Sequence, residues 1–194
     1  PTAMHIAAAE AIHADLLPAL KKLHAALEDK AKAWDRIIKT GRTHLMDATP
    51  IRLGQVFAGY ARQVELAVDR ATWALKETLV NMPIGGTAVG TGINTHPDFA
   101  GLVCERLTSR LGVRFEEGKD HCEAQAAKDS FVSAHGHLKT IATSLTKIAN
   151  DIRWLGAGPR CSIGELNLPA IQPGSSIMPG KVNPVIAESV IQVA

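Results

Sequence analysis

A chain of 194 residues, 46% of them hydrophobic, carries enough apolar material to bury a core and reads as one globular domain or two small ones. Its 21 basic and 19 acidic residues leave a net charge of +2 without a run of like charge. That excludes a nucleic-acid footprint or an acidic-lipid patch but leaves a small anion as a ligand. The apolar stretches are alanine-rich and soon broken by polar residues, well short of the roughly 20 needed for a membrane span, so neither nucleic acid nor membrane is an expected partner.

From Met4, apolar residues recur every three to four positions through Ala8, Ile12, Leu16, Leu20, Leu23, Leu27, Ala31, Trp34 and Ile38, which predicts one long amphipathic helix. Pro18 lies inside it and removes a ladder hydrogen bond, so a kink or restart is expected near Leu17. A second long helix is predicted by Leu53, Val56, Phe57, Tyr60, Val64, Ala67, Ala71, Leu75 and Leu79, with Thr49 and Pro50 placed as N-cap and first-turn proline. A third starts at Pro97, carries Phe99, Leu102, Val103 and Leu107, and ends at Gly112. The fourth and longest runs from Asp120 to Ala157, with Gly156 and Gly158-Pro159 stopping it. No period-two apolar segment stands out, so the expected class is all-α, with at most a small hairpin near Gly164 to Leu168. Helices this long need neighbours along their whole span, which points to an elongated bundle and to self-association. Cys104, Cys122 and Cys161 lack metal-ligand spacing and are expected to be free thiols in a reducing, cytoplasmic compartment, or a mitochondrial one if the source is eukaryotic.

Three polar segments interrupt these helices. Gly41 to Pro50 sets Arg42, Thr43, His44, Asp47 and Thr49 between two long helices. Taken alone, His44 reads either as a solvated turn residue or as a general base. The remaining helical histidines make no metal pair, since His135 and His137 are two residues apart and face different sides, and no metal site is expected. Gly85 to Asn94 holds Gly85, Gly86, Gly90 and Gly92, whose bare backbone lets a ligand approach, while Thr87, Thr91 and Asn94 are donors suited to a carboxylate. It follows a helix and lacks the dinucleotide fingerprint, so it reads as a connector or a ligand-facing loop. The third segment, Gly174 to Asn183, fails the phosphate-loop spacing by one residue and has Val182 where that motif needs Ser or Thr. Ser175, Ser176, Lys181 and Asn183 instead offer a base, a cation and neutral donors, the makings of an anion site, unless the segment is a plain surface loop.

The order of these segments, together with Pro1-Thr2-Ala3-Met4-His5 and Lys147-Ile148-Ala149-Asn150-Asp151-Ile152-Arg153-Trp154, closely resembles the class II fumarase and aspartase superfamily over essentially the whole chain. Lys181-Val182-Asn183-Pro184 is similar to the fumarase and aspartase branch. Gly180 and the run Gly86 to Pro97, with His96, are similar to fumarases in particular. The resemblance implies reversible anti addition of water to fumarate, giving L-malate, through an aci-carboxylate intermediate and with no cofactor. By motif position Ser175 takes the C3 proton and Lys181 and Asn183 hold the dicarboxylate. Thr43 adds a hydroxyl contact, and His44, paired with Glu188, activates the water. The family also implies a homotetramer whose active sites are shared between subunits. Family members have a Ser-Ser-Asn-Asp segment before the proline at position 1 and a further C-terminal part. Residues 1–194 are therefore expected to be the central helical domain, truncated at both ends and inactive by itself. Aspartate ammonia-lyase and a non-catalytic protein that kept the lyase fold are the alternatives.

Overall fold

The computed structural model describes residues 1–194, apart from the side chain of Thr78, and divides into two units, Pro1–Leu138 and Lys139–Ala194. Helix is the main regular structure in both, as the periodicity predicts. The first unit holds α1 (Thr2–Ala11), α2 (Leu17–Ala33), the hairpin β1 (Ile38–Thr43) and β2 (Met46–Arg52), α3 (Leu53–Trp73), β3 (Asn81–Met82), α4 (Phe99–Leu111), β4 (Glu116–Glu117) and α5 (His121–Ala126). α6 (Asp129–Leu155) begins in the first unit and continues into the second, where α7 (Val185–Val193) follows a long irregular segment.

The first predicted helix is resolved into two, joined by a π-helical turn at Ile12–Leu16. Pro18 sits in the first turn of α2, where its missing N–H opens the ladder just behind it. The turn absorbs one extra residue, so the buried positions run His5, Ala9, Ile12 and then Leu17, Leu20 and Leu27. Leu16, which an unbroken stripe would bury, is only half-buried. α2 also stops earlier than predicted, with Trp34 as its C-cap, and Ile38 lies in a strand and is 74% exposed.

Residues 38–52 form an antiparallel hairpin, where the sequence suggests a loop leading into an N-cap at Thr49. Its strands bury almost nothing, so no period-two apolar signal exists to find. The register shifts by one residue between Thr40 and Arg42, leaving Gly41 opposite both Ala48 and Thr49 in a β-bulge. A Cβ on Gly41 would lie 2.5 Å from the Thr49 carbonyl oxygen, so the bulge requires glycine. The N-cap of α3 is Arg52, not Thr49. The Arg52 backbone N–H donates to Gln55 Oε1 (3.1 Å) and its guanidinium pairs with Asp35 (2.9 Å), tying the base of the hairpin to the end of α2.

α3 returns antiparallel along α2. They approach closely at Gly54, where a Cβ would collide with the Ala31 carbonyl oxygen and the Asp35 backbone. Trp34 meets the edge of Phe57 with ring centroids 4.7 Å apart, and Phe57, Tyr60, Val64, Ala67 and Ala71 carry the buried stripe onward to Leu75 and Leu79. The fourth predicted helix is also split. Asp120 caps α5 by accepting from the Glu123 N–H (2.9 Å), but Ala127 turns extended, and Lys128 Nζ donates to the carbonyls of Ala124, Gln125 and Ala127. α4 occupies its predicted span, ended by Gly112 at φ +67, yet it buries Ala100 and Cys104 and leaves Phe99 and Leu102 exposed. The small residues face inward because the neighbouring loop approaches closely at Gly85, where a Cβ would lie 2.8 Å from the Ala100 Cβ.

No hairpin forms at Gly164 to Leu168. The segment instead folds back on the end of α6, with Gly164 N–H donating to Ala157 and the Glu165 and Leu166 N–H groups to the Leu155 carbonyl. Leu168 fills the space that a side chain at Gly156 would need.

Two outcomes follow. Gly54→Ala is expected to destabilise the fold, whereas Gly59→Ala, on the same helix with nothing within 4 Å of the added methyl, is expected to stabilise it. The Gly59 gain is roughly 0.5–1 kcal/mol, read from urea midpoints, since alanine loses less backbone entropy in a helix. His5 is buried, its Nδ1–H donating to the Leu79 carbonyl (3.3 Å), with Phe131 4.5 Å away. Burial lowers its pKa, with Lys128 and the N-terminal ammonium adding to the effect and the Leu79 bond opposing it. The unfolded chain therefore binds the proton first. The contribution is intact above the ordinary histidine value of about 6.5 and is lost as pH falls toward the folded-state value. Thermal scans between pH 7 and 5.5 should show the melting temperature of His5→Gln falling less with acid than that of the parent.

Candidate active site

Ser175 and Lys181 are brought together by the backbone of their own loop. The Ser175 N–H donates to the Lys181 carbonyl (3.0 Å), closing a ring over the intervening residues. Inside it, Met178-Pro179-Gly180-Lys181 forms a turn, with Lys181 N–H donating to the Met178 carbonyl (3.1 Å). Proline in the second position fixes φ, and Gly180 in the third adopts φ +83, the pairing a type II turn requires. The ring is tight, because a Cβ on Gly174 would lie 2.6 Å from the Lys181 carbonyl oxygen. Ser175 is half-buried while the Lys181 ammonium is exposed. Asn183 follows, its carbonyl accepting from the Val185 N–H (2.9 Å), and Glu188 lies in the first turn of α7, where the helix dipole favours a carboxylate. The second unit thus gathers Ser175, Lys181, Asn183 and Glu188 within one loop and the helix it leads into.

Thr43 and His44 stand at the tip of the bulged hairpin. Thr43 pairs with Met46, leaving His44 and Leu45 as a two-residue turn at φ +55 and +62. Two consecutive positive φ values are the signature of the type I′ turn, whose twist matches that of the flanking strands. Glycine and asparagine are its usual occupants. Leucine is strained there, by of order 1 kcal/mol, and His44 is left exposed. Arg42 and Asp47 pair across the hairpin with Nε and Oδ1 4.0 Å apart.

The glycine-rich segment is ordered by its own backbone and by α5. The Gly86 carbonyl accepts from the N–H groups of both Gly90 (2.9 Å) and Gly92 (3.1 Å). Thr95 N–H donates to the Gly92 carbonyl (3.1 Å), a turn with Asn94 at φ +62 in its third position. Gln125 Nε2 donates to the Thr87 carbonyl (2.9 Å), and the Cys122 thiol to that of Val89 (3.2 Å). Thr91 and Asn94 remain exposed. Among the described residues, the non-glycine positive-φ positions are His44, Leu45, Thr87 and Asn94, so all lie in these two segments. Strained backbone persists only where its surroundings over-determine it, and such positions gather at functional sites.

Sequence reading identified the loops but missed Cys122 and Gln125, which hold the second of them. The available signal was the four-residue spacing of Gly86 and Gly90, each packed on α5. A Cβ at Gly86 would lie 2.8 Å from Gln125 Nε2, and one at Gly90 would lie 2.6 Å from the Cys122 backbone N. Among the described residues, no cluster of three or more His, Cys, Asp or Glu could hold a metal ion, and no helix is long and apolar enough to cross a membrane.

The model of the lyase family matches residues 1–194, and the chain belongs to that family. It is 54% identical to "Fumarate hydratase class II" of Corynebacterium efficiens, covering 100% of this chain and 41% of that protein. It is 55% identical to the protein of the same name from Caulobacter vibrioides, covering 100% of this chain and 42% of that one. The crystal structure of recombinant class II fumarase from Schistosoma mansoni superposes with a TM-score of 0.91 at 37% identity, over 100% of this chain and 43% of that chain. The chain thus spans about two-fifths of the length of the curated relatives it matches.

The cysteines are free, Cys104 buried and Cys122 and Cys161 exposed. Burial first, then the charges of Glu117 and Glu116, pushes the Cys104 thiol up to about 11. Because the thiolate is the reacting species, titration with an aromatic disulfide reagent at pH 8 should show two thiols reacting promptly and Cys104 reacting only on unfolding.

Proposed function

We propose that the chain is the central helical domain of a fumarate hydratase, a carbon–oxygen lyase that interconverts fumarate and L-malate. The observation that carries this reading is the closed loop Gly174–Lys181, which fixes the backbone of a half-buried serine in the same ring as a lysine. The naming of relatives at 54% and 55% identity as fumarate hydratase class II supports it.

The chemical difficulty is a weak carbon acid. Removing the C3 proton of malate places a second negative charge on the adjacent carboxylate, so donors must already be aimed at that group. Ser175 takes the proton. A serine hydroxyl is a poor base in water, so the Lys181 charge and the amide dipoles of the tight loop supply the stabilisation its alkoxide form needs. Lys181 and Asn183 hold the carboxylate on which charge builds up, and Thr43, Thr91 and Asn94 add neutral donors. His44 protonates the departing hydroxyl at C2 or, in the hydration direction, activates water there, with Glu188 raising its basicity. Addition is anti because base and acid act on opposite faces.

The exposed His44 tip suits a site completed by a neighbouring copy. The assembly is a homotetramer with shared active sites, acting in the cytoplasm.

The test uses the intact protein that carries this chain and follows fumarate by its ultraviolet absorbance. Ser175→Ala and His44→Ala should each lower kcat by roughly 10²- to 10⁴-fold, with melting temperature unchanged. Mixing the two inactive variants should restore part of the activity through hybrid assemblies. Undiminished turnover in Ser175→Ala would refute the base. Turnover that depends on added ammonium would replace the reading with aspartate ammonia-lyase.

A further inference from the structure

Helix α5 performs no step in this chemistry, yet one face of it is committed to the glycine-rich loop. Gln125 donates to the Thr87 carbonyl, the Cys122 thiol donates to the Val89 carbonyl, and the His121 ring lies beneath Gly85, 3.5 Å from where a Cβ there would sit. The fit is tight on the loop side too, since any side chain at Gly90 would meet the Cys122 backbone at 2.6 Å. What these contacts hold is an unfavourable conformation. Thr87 is β-branched and has φ +57, in a region such residues avoid, and Asn94 has φ +62. A ten-residue stretch with four glycines pays a large ordering entropy and has no strand partner for its carbonyls, so a loop of this composition needs outside bonds to keep one shape.

From this we infer that Gln125 is a positioning residue: it latches the Thr87 carbonyl, with Cys122 as the second point of the latch, and so fixes the loop that presents Thr91 and Asn94. The inference rests on the proposed assignment of those two residues to substrate binding. Gln125 touches no substrate. Its amide fixes the backbone on one side of the turn, the two hydrogen bonds that the Gly90 and Gly92 N–H groups donate to the Gly86 carbonyl transmit that placement, and Thr91 lies between the two donors. A latch of this kind lowers the entropy lost on binding without entering the reaction, so its removal weakens ground state and transition state alike.

The experiment uses the intact protein with Gln125→Met, which keeps the length and loses the donor, and Gln125→Glu, whose carboxylate keeps the shape but cannot donate at neutral pH. Two readouts are taken. Hydrogen exchange of the peptide covering residues 85–94, measured without substrate, should speed up in both variants. KM for the dicarboxylate should rise about three- to tenfold, the value of one net hydrogen bond, with kcat and melting temperature unchanged. A purely structural role would instead lower the melting temperature and leave KM alone. Unchanged exchange in both variants overturns the latch. Faster exchange with an unchanged KM overturns the assignment of this loop to substrate binding while the latch stands. Because the exchange measurement needs no turnover, it decides the latch even if the protein proves not to hydrate fumarate.

Discussion

The contact between Gly54 and the carbonyl of Ala31 sets the distance between α2 and α3, and the hairpin that carries His44 hangs from that point. At this approach no side chain fits, so the helices meet backbone to backbone, and Trp34, Phe57 and Tyr60 fill the wedge that opens beyond it. The Arg52 to Asp35 pair and the bonds from the Leu53 N–H to the Ile37 carbonyl and from the Gly54 N–H to the Trp34 carbonyl then fix the hairpin's exit. An exposed β-ribbon of about six residues a side is marginal in water without such anchorage. Its tip can tolerate a strained His44 and Leu45 because the base cannot move.

The same economy recurs in the other two loops. Each presents polar residues in a backbone shape that glycine, proline or a left-handed residue makes reachable, and each is closed by a few bonds rather than by burial. The Ser175 loop closes on itself through the Lys181 carbonyl, whereas the glycine-rich loop leans on α5. Polar groups kept near the surface stay available to a charged ligand, and the cost of ordering them is met by the helices behind.

Several apolar faces remain uncovered in this chain. α7 buries none of its side chains, and Phe99 and Leu102 of α4 lie open, as do Leu45 and Met46 beside the catalytic candidate His44. Exposed apolar faces of this kind are where a partner surface would sit, which is a reason for proposing a shared assembly.

The sequence by itself determined where most of the helices lie, that Gly112 ends one of them, that Pro18 disturbs another, and which three polar segments interrupt them. These are local properties: a 3.6-residue period, a missing N–H, a residue able to adopt positive φ. Tertiary structure decided the rest. The hairpin was illegible because its strands are solvent-exposed and show no alternation, and its turn is made by His44-Leu45 rather than by asparagine and glycine. The extra residue at Ile12–Leu16 shifts the buried face from Leu16 to Leu17, a change of phase that a periodic count cannot detect. α4 turned its small residues inward because Gly85 presses against Ala100, a contact between positions far apart in sequence. Gln125 and Cys122 took on their roles for the same reason, since only folding brings α5 beneath the glycine-rich loop whose Thr87 and Val89 carbonyls it holds.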